Sequence, residues 1–302
     1  MIAVVSHDAG GAEILSSWLL RNQEPYCLVL DGPAVAIFQR KLGVCEKMSL
    51  AQAIKMCDWV LCGTSWGSNL EKHAIAQAKV SGKKVIAFLD HWVNYLARFH
   101  LEGVTVYPDE IWVGDVDAER IAQELFPRVK VILRSNPYFK DILTELTEAR
   151  DCSHDTQNSS VLYVCEPIRE HALLAYGNER HWGFTEEDAL HFFLKNTGAL
   201  GCSLSQIIIR PHLSESKNKY DWARQVNSLV TETASNQSLI EQIVEADIVV
   251  GCESMAMVVG LLAKKRVINS IPLGGKTCGL PQVEIEHLQV LVKKYQGTLG
   301  GG

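Results

Sequence analysis

Four short segments concentrate the residue types that do chemistry. Ser6-His7-Asp8-Ala9-Gly10-Gly11-Ala12-Glu13 follows a β-branched run and opens a helical one. Glycines there let the backbone turn tightly and come close to a ligand, and the amides of a helix start favour an anion. His7 or Asp8 could serve as a base; the plainer reading is a strand-to-helix turn capped by Asp8. Phe88-Leu89-Asp90-His91-Trp92-Val93-Asn94-Tyr95 ends an apolar run in an acid, an imidazole and rings, the groups that sugar binding and proton transfer need. Its alternative is an Asp cap with His91 and Trp92 packed under a loop.

The other two segments lie late in the chain. Arg210-Pro211-His212 follows QIII and could address a phosphate, or lie in a solvated loop. Gly251-Cys252-Glu253-Ser254-Met255-Ala256-Met257 follows ADIVV and starts an apolar helix. Ser254 can cap that helix while the amides of Ser254, Met255 and Ala256 stay open to a diphosphate. Glu253 stands where a carboxylate could take both hydroxyls of a ribose. Simple capping is the alternative.

Weaker signals surround these. Asp115-Val116-Asp117 reads as D-x-D, a pattern that can hold a metal, but acids at a helix start stabilise its dipole anyway, and no metal is expected. His73, His100, His154, His171, His181, His191 and His287 lack ligand spacing. Gly63-Thr64-Ser65-Trp66-Gly67-Ser68 is another strand-end loop that could touch an acceptor or simply turn. There is no G-x-G-x-x-G, Walker or G-x-S-x-G pattern, which speaks against NAD, ATP and α/β-hydrolase readings.

The elements that must position these segments follow from periodicity. Short, nearly continuous apolar runs are expected as strands at Ile2 to Val5, Tyr26 to Leu30, Trp59 to Cys62, Val85 to Leu89, Glu110 to Val113 and Val129 to Leu133. A second set is expected at Val161 to Cys165, Gln206 to Arg210, Ile248 to Val250 and Arg266 to Asn269. Amphipathic stretches between them, among them 10–21, 69–81, 116–125, 185–197, 219–232, 254–264 and 283–295, read as helices. This rhythm marks βαβ units with parallel sheets covered on both faces. Residues 150–160 (RDCSHDTQNSS) are polar and break it. The expected fold is therefore α/β, with two Rossmann-like parallel-sheet domains, 1–150 and 151–302, facing a cleft.

Composition narrows the class. Of 302 residues 47% are hydrophobic and 21% charged, and Lys+Arg 29 against Asp+Glu 35 leaves a net charge of -6. A disordered or low-complexity chain is excluded, and a nucleic-acid partner, which wants a basic excess, is not expected. Nine cysteines without C-x-x-C spacing read as reduced, mostly buried thiols of a reducing compartment. The opening MIAVVSHDAGG has no basic run before its short apolar stretch, and no run of about 20 apolar residues occurs. Neither a signal peptide nor a membrane span is expected.

Taken in order, the motifs resemble the GT-B superfamily, which holds nucleotide-sugar glycosyltransferases, UDP-GlcNAc 2-epimerases and CDP-glycerol transferases. Ile132 to Asp141 (ILRSNPYFKD) is similar to its G-N-P-x-x-D segment, with Ser135 in place of Gly. VLYVCEPI at 161–168 resembles the strand opening the second domain, and IIIRPHLSE resembles R-P-H-P-x-E, with Leu213 in place of Pro. ADIVVGCESMAMVVGLLAKKRVI resembles the donor-binding strand–helix–strand. The H-V-E-A-G-L-R segment of the epimerases is absent, with LDHW in its place.

The resemblance implies a glycosyltransferase moving a sugar from a nucleotide-activated donor to an acceptor in polysaccharide or glycoconjugate assembly, without a metal or a cofactor beyond the donor. It implies Arg210, His212, Glu253, Ser254, Met255 and Ala256 on the donor. His7, Gly10, Gly11, Trp92 and Asn94 would line the acceptor side. Asp90 is the first candidate base, with His91 and Asp8 behind it. The acceptor would be a glycan or lipid-linked, and the enzyme cytoplasmic or held at the inner face of the membrane. The alternatives are a sugar-nucleotide 2-epimerase or hydrolase on the same scaffold and a non-catalytic nucleotide-sugar-binding module.

Overall fold

A computed structural model describes the chain apart from residues 44–45, 150–157, 213, 217, 233–236 and 300–302. Cys45, Cys152, His154, Leu213 and the glycine tail thus lie outside the described residues, as does most of the polar stretch 150–160. Backbone contacts group the chain into two units, Met1–Asp141 and Ile142–Gly302. That division falls inside one helix, Pro137–Ala149; the boundary expected at 150–151 lies outside the described residues. Each unit is built on its own six-stranded parallel sheet, so the architecture is two Rossmann-like α/β units in succession.

The first unit runs β1 (Ile2–Ser6), α1 (Ala9–Leu19), β2 (Tyr26–Leu30), α2 (Ala34–Leu42), α3 (Leu50–Met56), β3 (Trp59–Cys62), α4 (Leu70–Val80) and β4 (Lys84–Leu89). A small hairpin, β5 (His100–Leu101) with β6 (Val104–Thr105), precedes β7 (Glu110–Val113), α5 (Val116–Leu125), β8 (Lys130–Leu133) and α6 (Pro137–Ala149). The strand order is β2-β1-β3-β4-β7-β8. Ile2, Val4, Leu28, Leu30, Ile86 and Phe88 alternate along their strands onto one face and meet Leu15 and Leu19 of α1 and Phe38 of α2. Ala3, Val5, Val29, Val60, Val85 and Ala87 are buried as well, which is why the strands read as continuous apolar runs.

The second unit runs β9 (Ser159–Val164), α7 (Ile168–Tyr176), α8 (Glu186–Lys195), β10 (Leu204–Arg210), α9 (Ala223–Val226), β11 (Val230–Glu232), α10 (Leu239–Glu245), β12 (Ile248–Gly251), α11 (Met255–Leu262), β13 (Arg266–Asn269), β14 (Glu286–His287) and α12 (Leu288–Leu299). The strand order is β11-β10-β9-β12-β13-β14. Val161, Tyr163, Ile207, Ile209, Ile248 and Val250 form the sheet side of a core closed by Phe193 of α8 and Leu288 of α12. Reciprocal capping boxes start α3 at Ser49–Gln52, α8 at Thr185–Asp188 and α10 at Ser238–Glu241, each satisfying amides the helix leaves unpaired.

Two expectations about elements need correction, and one helix was not expected. The helix expected over 219–232 is short α9 followed by strand β11, because β10 offers its free edge and Ile207 to Ile209 pair with Val230 to Glu232. The helix expected from 283 begins at Leu288, after Ile268 and Asn269 recruit Glu286 and His287 into the sheet. Helix α7 has no counterpart in the sequence reading; Gly177 ends it at φ 67, a left-handed stop that glycine supplies. The described cysteines are free thiols; Cys27, Cys57, Cys62, Cys165 and Cys252 are buried and Cys202 is exposed. Among the described residues no helix is long and apolar enough to cross a membrane.

Candidate functional site

The carboxyl ends of the first sheet gather most of the residues singled out in that half. β1 delivers the Ser6–Gly11 turn, β3 the Gly63–Ser68 loop and β4 the Asp90 segment. The imidazole Nδ1 of His7 and Asp8 Oδ1 are 2.7 Å apart, so Asp8 orients the ring. The other ring nitrogen is turned toward Gly32, where a Cβ would stand 2.6 Å from Nε2. Asp8 precedes α1 but its side chain makes no cap bond, contrary to the capping alternative. Helix α4 contributes Glu71, whose Oε1 accepts the His7 amide at 2.7 Å. Glu71 is 1% exposed, and burial, ahead of the opposing backbone bonds, pushes its carboxyl up to about 7. Its Oε2 and the Ser6 hydroxyl are buried with no partner among the described residues.

The glycines of this turn are used for packing. A Cβ on Gly10 would lie 2.1 Å from Asp90 Oδ2, and one on Gly11 would lie 3.2 Å from the Gly63 Cα. The sheet order reverses between β1 and β3, the place where open α/β sheets usually bind ligands. Here the two glycine loops meet across it.

Asp90 sits in a buried ion pair. Its Oδ1 accepts Arg98 Nη1 at 2.6 Å and the Thr64 hydroxyl at 3.1 Å, and the side chains are 9% and 5% exposed. Arg98 also donates to Thr64 O and Val93 O. His91 Nδ1 accepts the Trp92 amide at 3.0 Å, which places the hydrogen of a neutral ring on Nε2. Trp92 is buried, not an open stacking surface, and its Nε1 donates to both oxygens of Asp115 at 3.0 and 3.1 Å. Asp115 also caps α5 through the Ala118 amide at 2.8 Å. The helix-start reading of Asp115-Val116-Asp117 thus describes what Asp115 does. Asn94 is exposed at φ 59, a turn position asparagine tolerates. A pocket opens beside these groups at the ends of β4 and β7, lined in part by Asp90, His91, Trp92, Asp115, Asn136 and Phe139.

In the second unit the strand order is that of dinucleotide-binding sheets, 3-2-1-4-5-6 when counted from β9, and its reversal lies between β9 and β12. The two loops at this point are Cys165–Pro167 and Cys252–Ser254. Glu166 Oε1 accepts the amides of Cys252 at 3.1 Å and Glu253 at 2.7 Å; burial pushes this carboxyl up to about 7, and the neighbouring Glu253 adds to the rise. Ser254 caps α11 by accepting the Ala256 amide at 3.2 Å. The Ala256 amide, expected to be open, is therefore taken, while those of Ser254 and Met255 have no acceptor among the described residues.

The other residues expected on a donor have partners of their own. Glu253 is ion-paired with Lys276 and accepts the Gly279 amide. Arg210 donates to Gln242 Oε1 and to Gln237 O, and burial pulls its basicity down. His212 is exposed, with Nδ1 2.8 Å from the Ser214 hydroxyl. Arg210 ends β10 and the α11 turn follows β12, with β9 between them; at about 4.8 Å per strand that is about 10 Å. Arg98 and Glu71 escaped the sequence reading, and Asn136 and Glu166 stood in the quoted motif segments without being named as site residues. No local pattern marks Glu71, because it acts on the His7 turn far away in sequence. Among the described residues no group of three or more His, Cys, Asp or Glu side chains is arranged to hold a metal ion.

No family model matches the chain, and no curated protein matches it. Solved structures do. MurG from Acinetobacter baumannii superposes with a TM-score of 0.56 at 10% identity, over 99% of this chain and 90% of that one. The UDP-GlcNAc 2-epimerase of Neisseria meningitidis, bound to UDP-GlcNAc, gives 0.62 at 10% identity over 99% and 91%. That of Methanocaldococcus jannaschii, with UDP-GlcNAc and UDP, gives 0.60 at 11% identity over 100% and 93%. The fold is GT-B. At such identities the likeness carries the architecture and leaves the reaction to be argued from this chain's own residues.

Proposed function

We propose that this GT-B chain is a glycosyltransferase that takes a sugar from a nucleotide-activated donor and passes it to a hydroxyl acceptor. The observation that carries the reading is the β12–α11 turn of the second unit. It lies at the reversal of a dinucleotide-type strand order, and it holds two amides, Ser254 and Met255, without acceptors among the described residues at a helix start. A donor diphosphate placed there meets those amides, with Arg210 and His212 available two strands away. Glu253 would exchange Lys276 or the Gly279 amide for the ribose hydroxyls.

On the first unit Asp90 is the proposed base. Arg98 and Thr64 occupy one carboxylate oxygen, and Oδ2 remains for the acceptor proton. Helix amides and Arg210 would offset charge on the leaving diphosphate without a metal. The test is a thermal-shift screen of UDP, GDP, CDP, CMP and their sugar conjugates, followed by donor turnover with and without acceptor. A nucleotide diphosphate that raises the melting temperature, with turnover only when acceptor is present, supports transfer. Turnover of donor alone assigns the epimerase or hydrolase reaction instead. Binding without any turnover assigns a nucleotide-sugar-binding module.

A further inference from the structure

Asn136 stands at the start of α6, and its side chain is divided between two tasks. Its Oδ1 accepts the amides of Tyr138 at 3.0 Å and Phe139 at 3.3 Å and so caps the helix. Its Nδ2 donates to no acceptor among the described residues, although Asn136 is only 8% exposed. That nitrogen lies against the strand end after β7, where a Cβ on Gly114 would be 2.9 Å from it. Both residues line the pocket at the ends of β4 and β7. Both N–H groups of that nitrogen are open to an acceptor that enters the pocket.

The rest of the lining says what kind of group fits. Asp90 and Asp115 are carboxylates that already receive Arg98, Thr64, Trp92 and Ala118. A phosphate would face these two acids. A cation would face the amide N–H groups. A hydroxyl both donates and accepts, so it satisfies a carboxamide on one side and a carboxylate on the other. The cavity proper is about 10 Å³, room for about one water-sized group, so a single hydroxyl of a larger molecule enters, not the whole.

We propose that Asn136 Nδ2 donates to a hydroxyl of a sugar-like or polyol ligand held at the β4–β7 pocket, with Asp90 or Asp115 accepting that hydroxyl's proton in a hydrogen bond. The proposal rests on the reading that the first unit takes the acceptor, and it makes Asn136 a residue that selects for that hydroxyl.

The experiment uses the full chain with ¹⁵N-labelled asparagine and tryptophan. The Asn136 amide pair is identified by its loss in Asn136→Asp. That variant keeps a carboxylate acceptor for the Tyr138 and Phe139 amides, removes the donor and adds a negative charge beside Asp90 and Asp115, so its melting temperature is compared with the parent's to separate binding from folding. N-acetylglucosamine and glycerol are titrated as probes, with inorganic phosphate as the contrast. The expected result is a saturable shift of the Asn136 pair with a polyol and none with phosphate. Binding read at Trp92 Nε1 is expected to weaken at least about tenfold, or 1.4 kcal/mol, in Asn136→Asp. Gly114→Ala, which sets a methyl against the Nδ2 and Cβ of Asn136, should shift that side chain and lose binding similarly. Unchanged binding in Asn136→Asp, a response to phosphate alone, or no response to either polyol overturns the proposal. A polyol response in a protein that binds no nucleotide overturns the transferase reading and keeps the hydroxyl site.

Discussion

Asp90 has two duties, and they can be separated. It is the proposed base, and it neutralises Arg98, which is itself buried. Removing one partner of a buried ion pair commonly costs about 3–5 kcal/mol, because the other charge stays desolvated. Asp90→Asn is therefore expected to lower the unfolding free energy by about 3 kcal/mol in denaturant titrations as well as to lower turnover. Pairing it with Arg98→Met should recover most of the stability and none of the turnover. Recovery of both would remove Asp90 from the chemistry. Glu71 allows a test through pH. Folding raises its carboxyl from 4.5 to about 7, so the folded state prefers the proton. Its contribution is fully present below about pH 4.5, falls by on the order of 3 kcal/mol up to about pH 7, and is level above. Glu71→Gln keeps an acceptor for the His7 amide, and its stability relative to the parent should rise across that window in urea titrations. A pH-independent difference would refute the assignment.

At the scale of elements, α11 is the part to test. Ser254 does the capping, so Ser254→Ala should cost about 1 kcal/mol of stability. The carboxylate of Glu166 shares the turn with the proposed diphosphate. An anion bound beside it favours its protonated form, so nucleotide affinity should be highest below about pH 7 and decline several-fold above it. Glu166→Gln should flatten that profile by calorimetry. Parallel profiles for parent and variant would place the nucleotide elsewhere. Helix α12 supplies a control without function. A Cβ on Gly297 would meet nothing within 4 Å, so Gly297→Ala should stabilise by about 0.5–1 kcal/mol through helix propensity alone.

At the scale of the molecule, each unit carries a separate core, and the proposed donor touches only the second. Hydrogen exchange with and without nucleotide should show added protection at the ends of β9 and β12 and along α11. Protection gained instead at β1 and β3 would move the donor to the first unit. Arg40 and Lys41 pair with Glu13, and Lys41 with Asp141, so these positive charges already have partners.

The βαβ rhythm was legible in the sequence because the central sheet strands are buried on both faces, or nearly so, and such strands must be written as unbroken apolar runs between amphipathic helices. The strand-end segments were legible too, since chemistry-bearing residues placed directly after those runs are carried to one edge of a sheet. Tertiary structure alone decided which strands are neighbours. It put the reversal of the second sheet at Glu166 and Cys252, closed the reversal of the first sheet with Gly11 against Gly63, and gave Asp90 its Arg98. It also turned Trp92 inward and left the amide of Asn136 facing a pocket. These outcomes depend on pairings between residues far apart in the chain, and local periodicity carries no record of which distant partner satisfies a buried polar group.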